Sequence, residues 1–262
     1  MVKQLRASVI QYNIKLGDIE INLTAAMEAL VRVATQGAQL AVLPEMWSCA
    51  YDYRNLTELA QQTPEVLARW QQVCRETGLV SVGSLPELDG EQIYNTAYVV
   101  DRGDIVDRYR KLHLFSTMRE DRFLTAGDAA IVADTSIGRL GIAICYDLRF
   151  GELFRKLALG GAEIICLPAE WPKPRQDHWN TLLRARAIEN QLFVVAANCC
   201  GIQGKLDFFG HSQLISPLGN LLAFAEEGPT ELVADLDFSE MEQYRKQIDI
   251  LGDRRADIYG TP

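Results

Sequence analysis

The stretch GRLGIAICYDLRFGELFRKLALGGAEIICLPAEW, residues 138–171, contains the pattern that decides the fold. A continuous apolar run over 140–144 ends at Cys145, and a segment with helical character, 152–159, follows a polar turn. Two glycines stop that helix before a second apolar run over 164–167. A strand, a helix and a strand in this order build parallel sheet. Because both runs are apolar throughout rather than alternating, we predict that both faces of each strand are covered.

Cys145 stands at the end of the first of these strands. Open sheets of this type place their chemistry just beyond the carboxyl ends of their strands. The thiol is therefore a candidate reactive group.

Outward from this unit, strands continue to alternate with helices, and two hairpins interrupt the alternation. We find no linker, no low-complexity tract and no repeat, which indicates one domain over 1–262. Mixed βα units and hairpins favour an α/β fold with two sheets covered by helices. We predict strands over 5–10, 40–43, 79–82, 192–197 and 232–236, helices that start at Asn22 and at Thr63-Pro64, a helix over 179–189, hairpins that pair 94–100 with 105–113 and 209–216 with 221–224, and an irregular loop over 115–128.

Composition excludes several classes of protein. A formal net charge of −9 argues against a nucleic-acid partner, which normally requires a basic surface. The six cysteines include no CxxC pair, and the three histidines lack metal-ligand spacing, so we expect no metal site and no disulfide framework. There is no glycine-rich nucleotide loop, and we expect no cofactor. No apolar run suggests a signal peptide or a membrane span, so we expect a cytoplasmic protein with reduced thiols.

Three reactive side chains, Glu45, Lys111 and Cys145, follow predicted strands. A cysteine nucleophile needs a base that accepts its proton or a cation that lowers its pKa. Glu45 is a candidate base, while Lys111 is a candidate cation that can also stabilise an oxyanion. Each residue alone has a plainer interpretation: a buried cysteine, a glutamate where a strand meets water, and a solvated lysine. Because all three follow strands, the catalytic interpretation and the plain one are about equally favoured.

The residues around these positions resemble the three signature blocks of the nitrilase superfamily, the carbon–nitrogen hydrolases. The blocks are LPEMW at 43–47, YRKLHLF at 109–115 and CYDLRFGELFR at 145–155. The resemblance runs from the first strand to the hairpin at 209–220. It implies a Glu-Lys-Cys triad, matched by Glu45, Lys111 and Cys145. It also implies a four-layer αββα sandwich that assembles through its helices into a homodimer.

The resemblance extends to further site residues. Family members often use a second glutamate in the loop after the lysine, and Glu120 matches that place, with Asp121 as the alternative. The segment over 168–191 resembles the ω-amidase branch in particular. That branch commonly has Asn before the tryptophan, where this chain has Glu170, a change that narrows the pocket or alters its charge.

Three residues are expected to contact the substrate. Arg149 follows Cys145 by four positions and can hold a substrate carboxylate in a two-point contact; the alternative is a salt bridge to Asp147 or Glu152. The backbone N–H of Tyr146 is expected beside the oxyanion, and Trp171 beside the substrate.

The sequence therefore predicts an enzyme that hydrolyses the C–N bond of a small ω-amide of a dicarboxylic or α-keto acid, through a cysteine thioester. Its expected partners are the amide and water. The alternatives are a nitrilase or an N-carbamoyl amino acid amidohydrolase of the same superfamily, and a binding protein on the same scaffold. The complete set of three reactive groups argues against the binding protein.

Overall fold

Two six-stranded β-sheets face each other, and helices cover their outer faces. The computed structural model describes residues 4–260. The first sheet has the order β14-β1-β2-β3-β4-β5, in which β1, β2 and β3 are parallel and every other pair is antiparallel. Its strands are β1 (Gln4–Gln11), β2 (Leu40–Val42), β3 (Val80–Asp89), β4 (Gln92–Asp101), β5 (Asp104–Arg110) and β14 (Thr230–Asp237).

The second sheet has the order β13-β12-β9-β8-β7-β6, with β7, β8 and β9 parallel. Strands β10 and β11 form a separate two-stranded ribbon. The strands are β6 (Val132–Thr135), β7 (Gly138–Ile142), β8 (Ile164–Ala169), β9 (Phe193–Asn198), β10 (Cys200–Gln203), β11 (Leu206–Phe209), β12 (Gln213–Ile215) and β13 (Leu221–Phe224).

Helices α1 and α2 pack on the first sheet, and α3 and α4 pack on the second. None of the helices in residues 4–260 combines the length and the apolar character needed to cross a bilayer. The helices are α1 (Ile19–Thr35), α2 (Leu56–Thr77), α3 (Gly151–Leu159), α4 (Gln176–Asn190), α5 (Phe238–Gln247) and α6 (Ala256–Tyr259).

Burial explains the four layers. In β1, Val9 joins the core between the two sheets, while its neighbour Ile10 joins the core beneath α1 and α2. In β8, residues 164–167 are buried on both sides, between the first sheet and helices α3 and α4. Covering both faces of a strand requires a continuous apolar sequence. The predicted αββα sandwich and its strand–helix–strand centre are therefore confirmed.

Both predicted helix starts were wrong. Helix α1 begins at Ile19, where the Asp18 carboxylate accepts the N–H of Ile21, and Asn22 lies inside the helix. Helix α2 begins at Leu56 and runs through Pro64. Proline in a helix interior removes one backbone hydrogen bond and usually breaks the helix. Here the first turns bury apolar side chains against the first sheet, and this tertiary contact offsets the lost bond.

One strand and one hairpin differ from their predicted form. The third strand is longer than 79–82, because β3 continues to Asp89 and pairs with β4 across a tight turn. The predicted strand over 209–216 is divided between β11 and β12. Gly210 and His211 both have left-handed backbone angles, with φ of 77° and 57°, which interrupt an extended strand.

Candidate active site

Cys145 lies on a sharp turn just beyond the end of β7. Residues 145–149 form a short 3₁₀ turn, and Cys145 itself has a left-handed φ of 44°. A residue with a Cβ atom adopts this conformation at a cost of about 1–3 kcal/mol and keeps it only where its surroundings enforce it. The turn directs a nearly buried thiol, 7% exposed, into a narrow pocket.

Asp147 holds this turn in place. Its Oδ2 accepts the N–H of Ile144 at 2.8 Å and the hydroxyl of Tyr109 at 2.8 Å. Its Oδ1 accepts the backbone N–H of His113 at 3.1 Å and lies 2.7 Å from the Nδ1 atom of the same residue. Because Tyr109 and His113 flank Lys111, one carboxylate fixes the position of the cysteine turn relative to the lysine.

We expect Asp147→Asn to destabilise the protein. In asparagine, an NH₂ group replaces one of the two carboxylate oxygens and cannot accept the hydrogen bonds that this oxygen now receives. Each buried donor left unpaired costs about 1–3 kcal/mol. The free energy of unfolding, measured by urea denaturation, should fall by at least that amount. Asp134→Asn, at an exposed position with a side chain 82% accessible, should change it little. An unchanged value for Asp147→Asn would contradict the role given to this carboxylate.

Glu45 follows β2 after Leu43-Pro44 and is completely buried. Its Oε1 accepts from Lys111 Nζ at 2.8 Å and from the amide of Asn95 at 2.7 Å. Its Oε2 accepts from the hydroxyl of Tyr51 at 2.7 Å and from the backbone N–H of Glu170 at 2.9 Å. Four donors therefore fix the orientation of this carboxylate.

Lys111 and Glu120 complete a buried charged cluster. The Nζ atom of Lys111 lies 2.9 Å and 2.8 Å from the two carboxylate oxygens of Glu120, in addition to its contact with Glu45. Glu120 also accepts the N–H of Phe115 at 3.0 Å. The structure thus brings together Glu45, Lys111, Glu120 and Cys145, and the predicted loop carries Glu120 rather than the exposed Asp121 into the cluster.

Burial and charge set the protonation of this cluster. Burial raises the pKa of the Cys145 thiol well above its ordinary value, and Glu45 raises it further, against the opposing effect of Lys111. Burial by itself would lower the pKa of Lys111, but Glu120 and Glu45 outweigh that effect and hold the lysine charged. The resting sulfur is therefore a thiol. Of the two activation routes that the sequence left open, a base is favoured over a cation.

The pocket in front of Cys145 is narrow and partly open to solvent. Aromatic and apolar side chains form most of its wall, and two glutamates and two arginines supply its charged groups. The predicted substrate contacts Tyr146, Arg149 and Trp171 all line it. The other lining residues are Tyr51, Phe115, Met118, Glu120, Glu170, Pro172 and Arg175.

Arg149 makes neither of the two salt bridges offered as its alternative role. Its Nη1 atom lies 3.2 Å from His178 Nδ1, and its guanidinium carbon lies 4.8 Å from the ring centroid of Trp171. Arg175 lies on the same wall, with its guanidinium carbon 5.1 Å from the ring centroid of Phe115. Within residues 4–260, neither guanidinium forms an ion pair with a carboxylate. Two cations therefore face the pocket without a protein counter-ion.

Tyr51, Asn95 and Arg175 were not predicted from the sequence. Tyr51 and Asn95 carry no local signal, because Tyr51 reaches Glu45 from the loop between β2 and α2, and Asn95 reaches it from β4. Arg175 lies in the segment after Trp171 that resembles the ω-amidase branch, and its position beside that block was the available signal.

Comparison with known proteins agrees with this geometry. The family model for carbon–nitrogen hydrolases matches residues 6–246. The chain is 37% identical to the 2-oxoglutaramate amidase of Bacillus subtilis (strain 168), over 96% of this chain and 98% of that protein. It is 34% identical to the chloroplastic omega-amidase of Arabidopsis thaliana, over 92% of this chain and 70% of that protein.

A solved structure resembles the chain over nearly its whole length. It is a mutant of the amidase from Nesterenkonia sp. AN1, with a TM-score of 0.88, 30% identity, and coverage of 97% of this chain and 95% of that chain. In that amidase the acetamide moiety of fluoroacetamide is added covalently at the active site cysteine. The chain therefore belongs to the carbon–nitrogen hydrolase family, the nitrilase superfamily indicated by its three sequence blocks, and within it to the ω-amidase branch.

Proposed function

We propose that this protein hydrolyses the C–N bond of a small ω-amide of a dicarboxylic or α-keto acid, releasing ammonia. One observation carries the proposal: Cys145, backed by the buried Glu45 and Lys111, lines a pocket whose wall holds two arginines that have no counter-ion within residues 4–260. The cysteine and its buried partners suit attack on an amide, and the two arginines suit a substrate carboxylate. The names of the Bacillus and Arabidopsis relatives support this class of substrate.

In the first half of the reaction, Glu45 accepts the thiol proton as Cys145 Sγ attacks the amide carbon. The carbonyl oxygen becomes an oxyanion between Lys111 Nζ and the backbone N–H of Tyr146. Glu45 then gives its proton to the nitrogen, the C–N bond breaks, and ammonia leaves. A thioester on Cys145 remains.

In the second half, Glu45 accepts a proton from water as the oxygen attacks the thioester carbon. The C–S bond breaks, the product acid leaves, and Glu45 returns the proton to sulfur. The raised pKa of the thiol supports this use of a base, because a free thiolate is disfavoured in the resting site. Glu120 holds Lys111 through two oxygens, and one of these contacts is exchanged for the oxyanion.

The substrate carboxylate is bound by Arg149, with Arg175 beside it. The Arg149 guanidinium lies over the Trp171 ring, and its planar fork suits a two-point contact with a planar carboxylate. Burial lowers the pKa of Arg149, and the nearby positive charge of Arg175 lowers it further. An anionic substrate relieves this repulsion, which adds to the preference for a carboxylate.

We expect Arg149→Ala to lower kcat/KM for a carboxylate-bearing amide by roughly 10- to 150-fold, since a hydrogen bond to a charged group contributes about 1.5–3 kcal/mol. The contact also fixes where the amide carbon lies, so KM should rise and kcat should fall together. Arg149→Lys should recover only part of the loss, because an ammonium cannot make the planar two-point contact.

The matched control is a neutral amide of equal length. It should be a poor substrate for the wild type and should lose little more in Arg149→Ala. An equal fall in kcat/KM for both amides would mean that Arg149 supports the cysteine turn rather than the carboxylate.

The function itself is tested by ammonia release from a panel of ω-amides, nitriles and N-carbamoyl amino acids. We expect ω-monoamides of dicarboxylic acids to be preferred, and mass spectrometry of a quenched reaction to find the acyl group on Cys145. Nitriles or carbamoyl compounds as the best substrates would replace the proposal with the corresponding branch of the superfamily.

We further propose that the chain acts as a single domain, that it forms a homodimer, and that it works in the cytoplasm. Exposed apolar residues on the outer helices, Leu159 on α3 and Ile188 on α4, support an interface there. The six free, buried cysteines suit a reducing compartment. Light scattering on the purified protein tests the dimer.

A further inference from the structure

Glu170 is a buried carboxyl group that the mechanism above does not use. It directly follows β8, is 1% exposed, and lines the same pocket as Cys145. Its Oε1 accepts a hydrogen bond from Gln203 Nε2 at 3.1 Å. Its Oε2 is buried and has no hydrogen-bond partner within residues 4–260. A buried polar atom without a partner is unusual and indicates either a functional role or a ligand.

The charges of the site show which carboxyl group carries a proton. Three buried carboxyls, Glu45, Glu120 and Glu170, surround one buried cation, Lys111. The lysine contacts Glu45 and both oxygens of Glu120, and it makes no hydrogen bond to Glu170. Burying a charge without a partner is costly, and a carboxyl in that position takes up a proton instead. This balance of charges favours Glu170 over Glu45 and Glu120 as the carboxyl group that holds a proton.

The surroundings of Glu170 agree with a neutral form. Burial raises its pKa well above the ordinary value, and the negative charge of Glu45 raises it further, while Gln203, Lys111 and Cys199 act in the opposite direction. The other titratable groups that face it or share its pocket come from several elements. They are Tyr12, Cys49, Tyr51, Tyr53, Glu120, Cys145, Arg149 and Arg175.

The hydrogen bond from Gln203 locates the proton on one atom. Oε1 accepts from the amide and so serves as the carbonyl oxygen. The acidic hydrogen then lies on Oε2, the atom for which residues 4–260 supply no hydrogen-bond partner.

We propose that Glu170 is uncharged in the working enzyme and donates its carboxyl hydrogen to an acceptor oxygen of the bound substrate. It is then a specificity-determining residue, an inference that rests on the proposed amidase function for the identity of the ligand. The change from Asn to Glu at this position keeps a neutral donor and extends it by one methylene. It narrows the pocket without adding a charge.

Two substitutions of similar size show whether Glu170 acts as a neutral hydrogen-bond donor or as an anion. Glu170→Gln keeps a neutral donor, and kcat/KM should fall by no more than about threefold, a cost below that of one neutral hydrogen bond. Glu170→Met removes the donor and leaves a substrate oxygen unpaired, so kcat/KM should fall by roughly 5- to 150-fold. The exposed Glu65→Gln is the control for general effects of the substitution.

The pH profile provides a readout that a packing role would not change. A neutral donor is lost as the pH rises through the raised pKa of Glu170, whereas glutamine does not titrate. The ratio of Glu170→Gln activity to wild-type activity should therefore increase toward alkaline pH. Equal losses in both variants would show that Glu170 works as an anion, and equal retention would show that it does not contact the substrate. Each outcome overturns the proposal.

Infrared spectroscopy tests the protonation without any substrate. The carbonyl stretch of a protonated carboxyl group should be present in the wild type at neutral pH and absent in Glu170→Gln. Its absence from the wild type would overturn the proposal even if Glu170→Met did not fold. If the wild type hydrolysed no ω-amide but showed the band, the proposed function would fail while the neutral state of Glu170 stood.

Discussion

Cys145→Ala will lose ammonia release while keeping its fold. The sulfur of Cys145 forms and breaks the bond to the acyl carbon. Within residues 4–260, no other cysteine lines the pocket. Loss of the nucleophile in a comparable triad costs on the order of 10⁶ in kcat. The side chain is small, and an alanine relieves none of the backbone strain and breaks none of the hydrogen bonds through which Asp147 holds the turn.

Ammonia release under single-turnover and steady-state conditions measures this loss, and circular dichroism checks the fold. Cys74→Ala is the matched control, because Cys74 is also fully buried but lies in α2, away from the pocket. It should keep its activity, with at most a small loss of stability. Substantial turnover by purified Cys145→Ala would exclude the thioester mechanism.

Lys111→Met will lower kcat by at least about 10²–10³, the usual cost of removing one oxyanion donor. The same change should destabilise the protein, because Glu45 and Glu120 would remain buried without their cation. Breaking a buried ion pair by removing one partner costs about 3–5 kcal/mol. Activity and stability should therefore fall together, unlike in Cys145→Ala.

The loss of stability in Lys111→Met should depend on pH. Without the lysine, the buried carboxyls keep their protons to higher pH in the folded state than in the unfolded one. Stability of Lys111→Met should thus be greatest at acidic pH and should decrease as the pH rises through those raised pKa values. Urea denaturation across pH measures it, with the exposed Lys15→Met as control. A near-normal kcat for Lys111→Met would remove the lysine from the mechanism.

Much of the fold was predictable because its signals are local. Strands 164–167 and 192–197 are apolar throughout, a composition that only a strand covered on both faces can bury. The helix starts were less predictable. A proline at position 64 indicates a helix boundary on local grounds, and only the packing of the preceding turn against the first sheet lets the helix run through it.

The sequence by itself determined which reactive residues the chain carries and that Glu45, Lys111 and Cys145 follow strands. These signals are local, because each residue stands in a short contiguous block directly after an apolar or extended run. That β2 and β5 of the first sheet and β7 of the second end at the same site was decided by the packing of the two sheets. The contacts of Asn95 and Arg175 were decided by the tertiary structure, since each joins segments far apart in the chain. Tyr51 lies only six residues from Glu45, but its contact depends on the path of the loop between β2 and α2.

Protonation was also decided by the tertiary structure. A pKa depends on burial and on neighbouring charges, and both arise only when the two sheets close over the site. In the folded protein, Lys111 contacts the carboxylates of Glu45 and Glu120, and within residues 4–260 Glu170 has no cation in hydrogen-bond contact. Burial likewise keeps Cys145 as a thiol until a base acts on it.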